Sequence, residues 1–479
     1  MVSTVRVGAL FPMVQTSGNF DQSGMLRLGA FLLALKEIND SPALLPNTTL
    51  QFVLRDSRRD SLAALVGALE LTGSCSNSGG GAEGIVAAVG AASSGPSESA
   101  ASAFAASRVP QISYSSTSPT LSDGSDFPFF LRTPPSDAFQ AEAMVDVLSN
   151  LFNYSHVATV RSTDSYGMNG ISAFSSLWTS QNRTILTSQS FSSGETDFSL
   201  VYHEIQRVRA RVIVLFCQAR DAGRFLRGAY EAGVPGDGWF VLGSDAVTSP
   251  ATWLNDDALN TNLTRRHQAL SGFFGLTPSN GAGTSTYNAY RTRSIAFSPS
   301  MLPRQDSATP GTPSAVPCDV GATLAASSVW NITDADGRPV WLQPIAGGGS
   351  GQTACVAPID PLADNSYAPY AYDALYAIAH ALHELIVIRG RTAIDGDELM
   401  SALLNDVSFD GVTGRVEFQP GTRYRGDRRV GVSYSVLNYQ GDDGLMHVGS
   451  WTACSQASAS CSFSQRWNPI DGTALRYST

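Results

Sequence analysis

Strand-like and helix-like segments alternate from Val5 to about Asp245, and no other feature constrains the fold of this chain as strongly. Val5–Leu10 reads as a strand, after which Met25, Leu28, Leu32, Leu35 and Ile38 recur at the spacing of one helix face. Strand Leu50–Leu54 precedes a helix lined by Leu62, Leu65, Val66 and Leu69. Strand Ile85–Val89, helix Ser97–Ser107 and strand Pro110–Tyr114 follow. After Phe129–Arg132 the rhythm restarts with helix Ala138–Leu151, strand His156–Arg161, helix Tyr166–Ser180 and strand Thr184–Ser190. Helix Phe198–Arg207, strand Val212–Phe216, helix Ala219–Gly233 and strand Trp239–Leu242 complete it. Short apolar strands separated by helices build a parallel sheet covered on both faces. Two such runs in 479 residues, too many for one ordinary core, predict an α/β protein with two doubly wound parallel-sheet lobes around a cleft.

The pattern thins beyond that point. From about Pro299 to Pro361 the density of Gly, Pro, Ser, Ala and Thr is that of a long surface excursion. Regular structure is expected again in the apolar helix Tyr370–Ile388 and a short helix near Glu398–Leu404. Strands Gly414–Phe418, Val430–Tyr439 and Leu445–Trp451 follow, and Thr452–Thr479 reads as an exit segment.

The net charge of −10 argues against nucleic acid, which needs clustered Lys and Arg to release counterions. No apolar run is read as reaching the ~20 residues of a membrane span. Strand-like VRVGALF from Val5 leaves no leader legible, so Met1 is read as the start of a trimmed chain. Asn47, Asn153, Asn182, Asn262 and Asn331 each begin a glycosylation sequon, which favours a secretory route. Six cysteines agree with an oxidising compartment. Cys454 and Cys461 lie seven residues apart in a polar loop and read as a local bridge. Cys318 and Cys355 flank the Gly/Pro-rich insertion and are placed to staple its base. Cys217, inside VIVLFCQA, reads as a buried thiol. Cys75, in LTGSCSNSGGGAEG, is left for a free thiol, a bridge to Cys217 or an intermolecular link. No nucleophile–base pair, metal-spaced His/Cys cluster or phosphate loop is legible, so no catalysis, metal or cofactor is expected.

Five residues at or just beyond predicted strand ends carry complementary chemistry, at the place where open α/β sheets hold ligands. Strand Ile85–Val89 runs into GAASSGPSES, whose free backbone N–H groups and Ser94 hydroxyl suit an anion. QISYSSTSPTLSD places Ser115 and Thr117 at a second strand mouth. Asp137 follows FLRTPPS, Tyr166 opens a helix in STDSYGMNG, and Asp245 ends a strand in VLGSDA. Hydroxyls can hold a carboxylate, and two aspartates with an aromatic ring can hold an ammonium. Together they would clamp one free α-amino acid. Small hydroxyl residues also form turns, both aspartates could cap helices, and Tyr166 could be packing.

The chain resembles the Venus-flytrap ectodomain of class C G-protein-coupled receptors, a periplasmic-binding-protein type I fold, and is most like the metabotropic glutamate receptors. The likeness runs through GALFP, LALKEINDSPALLPNTTL, VPQISYSSTSPTLSD, FFLRTPPSDAFQAEAMVDVL, DSYGMNG, GSD, AYDALYAIAHAL and HVGSW. It implies that Ser94 and Thr117 hold the ligand carboxylate and that Asp137, Tyr166 and Asp245 surround its ammonium, with Ser115 a further ligand-binding candidate at the Thr117 strand mouth. The family's lysine for a distal carboxylate falls near Tyr367, and a family arginine falls near Pro250, so both are missing. Arg27 matches an arginine at the ligand's side-chain end, while Arg58 and Arg59 replace a cysteine and a tryptophan. Ser23, Arg27, Arg58, Arg59 and Tyr367 are therefore the candidate side-chain pocket. The resemblance also implies a homodimer through the first lobe, with Cys75 as the candidate intersubunit disulfide.

The expected layout is residues 1–132 and 275–405 for the first lobe, the latter carrying insertion 299–361. Residues 133–274 and 406–453 make the second lobe, and 454–479 lead towards an absent membrane or output region. The expected function is an extracellular receptor domain that senses a free L-α-amino acid by closing the cleft, without nucleic acid or cofactor. A solute-binding protein for amino acid uptake and the ectodomain of a single-span receptor cyclase are the competing readings.

Overall fold

The apolar runs become the strands of two separate sheets in the computed structural model. It describes residues 3–14, 21–74, 84–234, 239–249, 256–297, 332–333, 339–340, 367–422, 424–454 and 461–470. Cys75, Pro250, Cys318, Asn331, Cys355 and nearly all of the expected insertion lie outside these residues. The chain divides into two units, the first comprising 1–116, 121–134 and 280–429, and the second 117–120, 135–279 and 430–479.

The first unit holds β1 (Ser3–Phe11), α1 (Gln22–Asp40), β2 (Thr48–Asp56), α2 (Ser61–Leu71), β3 (Ala87–Gly90), α3 (Ser94–Ala106), β4 (Gln111–Ser113) and β5 (Phe130–Arg132). Its sheet runs β2-β1-β3-β4-β5, parallel throughout. Strand β1 shows why. Val7, Ala9 and Phe11 pack towards Phe31 and Leu35 of α1, while Leu10 packs with Ala64 and Ala68 of α2. A strand apolar on both faces must be covered on both, as helices of a parallel sheet cover it. Helix Ala368–His383 joins the first core, where Leu375, Ile378 and Leu382 are fully buried. With its continuation to Ile388 this stretch has 21 residues and is long and apolar enough to cross a membrane, against the sequence expectation. Here it serves as a core helix.

The second unit begins with α4 (Asp137–Asp146) and continues through β6 (His156–Ser162), α5 (Ser165–Ser180), β7 (Thr184–Phe191), α6 (Ser199–Arg207), β8 (Val212–Phe216), α7 (Ala219–Glu231), β9 (Phe240–Gly243) and β10 (Phe273–Pro278). Two short pairs, β11 (Ile332–Thr333) with β12 (Pro339–Val340) and β13 (Ser408–Gly411) with β14 (Gly414–Glu417), come next in the chain. Strands β15 (Ser433–Tyr439), β16 (Leu445–Thr452) and β17 (Trp467–Pro469) complete the second sheet, ordered β17-β16-β15-β10-β9-β8-β6-β7. Strands β6 to β10 are parallel, as expected of a doubly wound lobe, and β15 to β17 extend that sheet in antiparallel fashion. Strands β15 and β16 form a hairpin, whose chain reversal makes antiparallel pairing unavoidable.

Two boundaries differ from the sequence layout. Residues 406–429 pack in the first unit because their polar groups find partners there. The N–H groups of Val412 and Thr413 donate to Asp373 at 2.9 Å each, and Asp427 accepts from Arg132 at 2.7 Å. Of the expected exit segment, the described residues 461–470 lie in the second unit. Trp467–Pro469 pairs with β16, and Arg466 reaches Asp146 at 3.0 Å. Cys454 and Cys461 are disulfide-bonded as expected, with Cα atoms 6.0 Å apart. Cys217 is a buried thiol whose ionisation is pushed up by burial.

Candidate functional site

Four of the five amino-acid-clamp candidates, Thr117, Asp137, Tyr166 and Asp245, belong to the second unit, and Ser94 belongs to the first. Thr117 thus departs from the sequence layout, which places it with the first lobe. Its carbonyl accepts the Asp137 N–H at 2.7 Å, which ties it to the start of α4. Asp137 is fully buried and is the first residue of α4. The helix cap is Ser136, whose hydroxyl accepts from Ala138, so capping does not explain the Asp137 carboxylate.

Tyr166 is brought to the same unit's core by the turn between β6 and α5. Asp164 caps α5 by accepting the Gly167 N–H at 2.8 Å. A Cβ at residue 167 would stand 2.5 Å from the Ser162 carbonyl oxygen, so glycine lets the helix start close against the strand end. Tyr166 donates to Asp245 at 2.5 Å, and Gln140 Nε2 donates to the same carboxylate at 3.2 Å. Burial, and then the negative charges of Asp245 and Asp137, push the Tyr166 phenol well above its usual range. It is therefore held as a neutral donor. Two buried aspartates and a neutral phenol form a region of negative potential suited to a cationic group.

In the first unit the two hydroxyl-rich corners are braced to each other. Ser113 donates to the Ala91 carbonyl at 2.7 Å, and Ser97 and Ser116 hydroxyls meet at 2.7 Å. Gly90 turns the chain at φ +127, where a Cβ would lie 2.1 Å from the Leu10 carbonyl oxygen. Beyond this turn Ser94, 2% exposed, opens α3. Ser115 is half-buried, its N–H donating to Ser113 Oγ at 3.3 Å. Ser97, Ser113 and Ser116 thus bond within the protein.

The candidate side-chain pocket separates into two groups and an outlier. Arg27 is buried, its guanidinium 5.4 Å from the Tyr367 ring centre and 6.0 Å from that of Tyr114. Arg59 pairs with Asp21 and donates to Ser23 Oγ at 2.6 Å. Burial alone would raise the Asp21 carboxyl, but the charge and hydrogen bonds of Arg59 outweigh it and hold the pKa down to about 2. Arg27 adds to that lowering and also acts on the Tyr114 phenol, which connects the two groups electrostatically. Arg58 is exposed and turned to Asp56 at 3.8 Å. Asp21, Tyr114 and Gln140 were missed in the sequence, since only the fold gives them a neighbourhood.

No group of three or more His, Cys, Asp or Glu side chains suited to a metal occurs among the described residues. Asn47, Asn153, Asn182 and Asn262 are all exposed, and the first three sit at positive φ.

The family described as receptor family ligand binding region matches residues 26–442. Metabotropic glutamate receptor 4 of Mus musculus is 35% identical over 245 residues, covering 47% of this chain and 26% of the relative. A metabotropic glutamate receptor of Drosophila melanogaster is 33% identical over 246 residues, 45% of this chain and 25% of the relative. The alignment thus spans about a quarter of the length of each receptor. With a family match over most of its length, and with sheets and helices of the expected α/β kind, the chain belongs to the receptor-family ligand-binding regions of the periplasmic-binding-protein type I fold.

Proposed function

We propose that this chain is the extracellular ligand-binding domain of a class C-type cell-surface receptor, and that its ligand is a free L-α-amino acid. One observation carries the reading. Asp137, Tyr166 and Asp245 are all buried in one unit, and the charges of both aspartates act on the Tyr166 hydroxyl. Two buried carboxylates beside a neutral phenol suit an α-ammonium, whose N–H groups they can accept from. Ser94, Ser115 and Thr117 are the proposed carboxylate partners. The arginines Arg27 and Arg59 favour a polar or acidic side chain over an apolar one. Glycans on the exposed sequon asparagines, a homodimer through the first lobe and membrane attachment through a further region belong to the same reading.

The test is a calorimetric or thermal-shift panel of L-amino acids beside their decarboxylated amines. The amines should bind at least about 100-fold more weakly, because two or more charge-assisted bonds of about 1.5–3 kcal/mol each are lost. Equal binding of both sets would reject the assignment.

A further inference from the structure

Gln140 lies one turn after Asp137 on α4, so both side chains leave the same helix face. It is wholly buried, and its Nε2 donates to Asp245 Oδ1 at 3.2 Å. An ionised carboxylate can only accept, which fixes the orientation of the amide and leaves Oε1 as an acceptor directed elsewhere. Among the described residues Oε1 has no hydrogen-bond partner, and neither does the buried hydroxyl of Thr117. Buried polar atoms are ordinarily satisfied. Both of these belong to residues bound into the Asp137–Asp245 neighbourhood, Gln140 through Asp245 and Thr117 through the Asp137 N–H.

The distances fit a shared cation. The oxygen and nitrogen of an amide lie about 2.3 Å apart. Oε1 is therefore within about 5.5 Å of Asp245 Oδ1, the sum of that span and the 3.2 Å bond. Two acceptors on one tetrahedral ammonium stand about 4.6 Å apart when each bond is about 2.8 Å. A primary ammonium has three N–H donors, and Asp137 and Asp245 account for two. We propose that Gln140 Oε1 accepts the third, which makes Gln140 a ligand-contacting residue that selects primary over secondary amines. This rests on the amino-acid reading above.

The experiment measures binding of the twenty proteinogenic L-amino acids and, for each that binds, of its Nα-methyl counterpart. Wild-type protein should prefer the primary amine by about tenfold or more. Gln140→Met, of similar length but without an acceptor oxygen, should lose most of that preference, because the methyl group then costs no hydrogen bond. Should Gln140→Met fail to fold by thermal melting, Gln140→Asn draws the amide back by one carbon and should lose the preference likewise. An unchanged preference in either folded variant would overturn the inference and leave Gln140 as a positioning residue for Asp245, with the amino-acid reading intact. Wild-type protein that binds none of the twenty would reject both.

Discussion

The Tyr166 hydroxyl lies 2.5 Å from an Asp245 carboxylate oxygen and 2.7 Å from Ser244 Oγ. A phenol has one proton, and of these two partners only the carboxylate cannot donate, so that proton belongs to the Asp245 bond. Tyr166 therefore sets where the Asp245 charge points. Tyr166→Phe should lower amino-acid affinity about tenfold, the worth of one hydrogen bond to a charged group. Ring packing on Phe216, 5.8 Å away, is retained, so the melting temperature should move by only a few degrees. Unchanged affinity with a large loss of stability would make Tyr166 a packing residue.

Asp245→Ala should weaken binding more than Asp245→Asn. Asparagine retains an acceptor for the ligand ammonium, whereas alanine leaves that ammonium facing an apolar gap beside the donors of Tyr166 and Gln140. Titration calorimetry on the two variants gives the order. The reverse order, or an alanine variant that unfolds yet keeps its affinity, would assign Asp245 a structural role.

The fold was legible where local pattern and packing coincide. Val212–Phe216 is buried along its whole length and was read correctly from its apolar run. Strand β10, Phe273–Pro278, was missed, because its position depends on pairing with β9 and the distant β15. The places of Asp137 and Tyr166 in the alternation were legible, for they stand at the first and second positions of their helices. Gln140 was not, since a glutamine in a helix resembles any surface residue until the fold buries it against Asp245.

Arg132 and Asp427 form a fully buried ion pair at 2.7 Å between residues 295 apart in sequence, and Ser122 donates to the second carboxylate oxygen at 2.8 Å. Arg132→Met would leave Asp427 buried without its cation. Loss of one partner from such a pair costs about 3–5 kcal/mol, visible as a large drop in the urea midpoint. Arg132→Met with Asp427→Leu together should recover much of that loss, and a double variant no better than the single one would contradict this account.

The Cys454–Cys461 bridge closes a loop of only seven residues' separation, so chain entropy limits its worth to about 2–3 kcal/mol. Arg466 holds the same segment by its bond to Asp146 and by lying 5.5 Å from the Trp451 ring centre. Cys454→Ser should therefore melt a few degrees lower yet stay folded, and Arg466→Ala added to it should cost more than either change alone predicts. Simple additivity in the melts would show that the two anchors act independently.

The Asp21–Arg59 pair makes stability depend on pH in a defined direction. Asp21 ionises at about 2 in the folded protein against 3.8 ordinarily, so its folded pKa is depressed. A depressed carboxyl stabilises the fold above the unfolded value and loses that contribution as pH falls through the folded value. The difference corresponds to about 2 kcal/mol, present above pH ~4 and lost towards pH ~2. Without Arg59, burial dominates and raises the Asp21 pKa instead, so Arg59→Ala should begin to gain relative stability as the acid is approached from neutral pH, while being less stable than wild type at pH 7. Asp21→Asn, which cannot ionise, should remove the dependence from this window. Urea midpoints from pH 2.5 to 7 for the three proteins test it. Parallel curves for wild type and Asp21→Asn would mean that the pair contributes no pH-dependent stability.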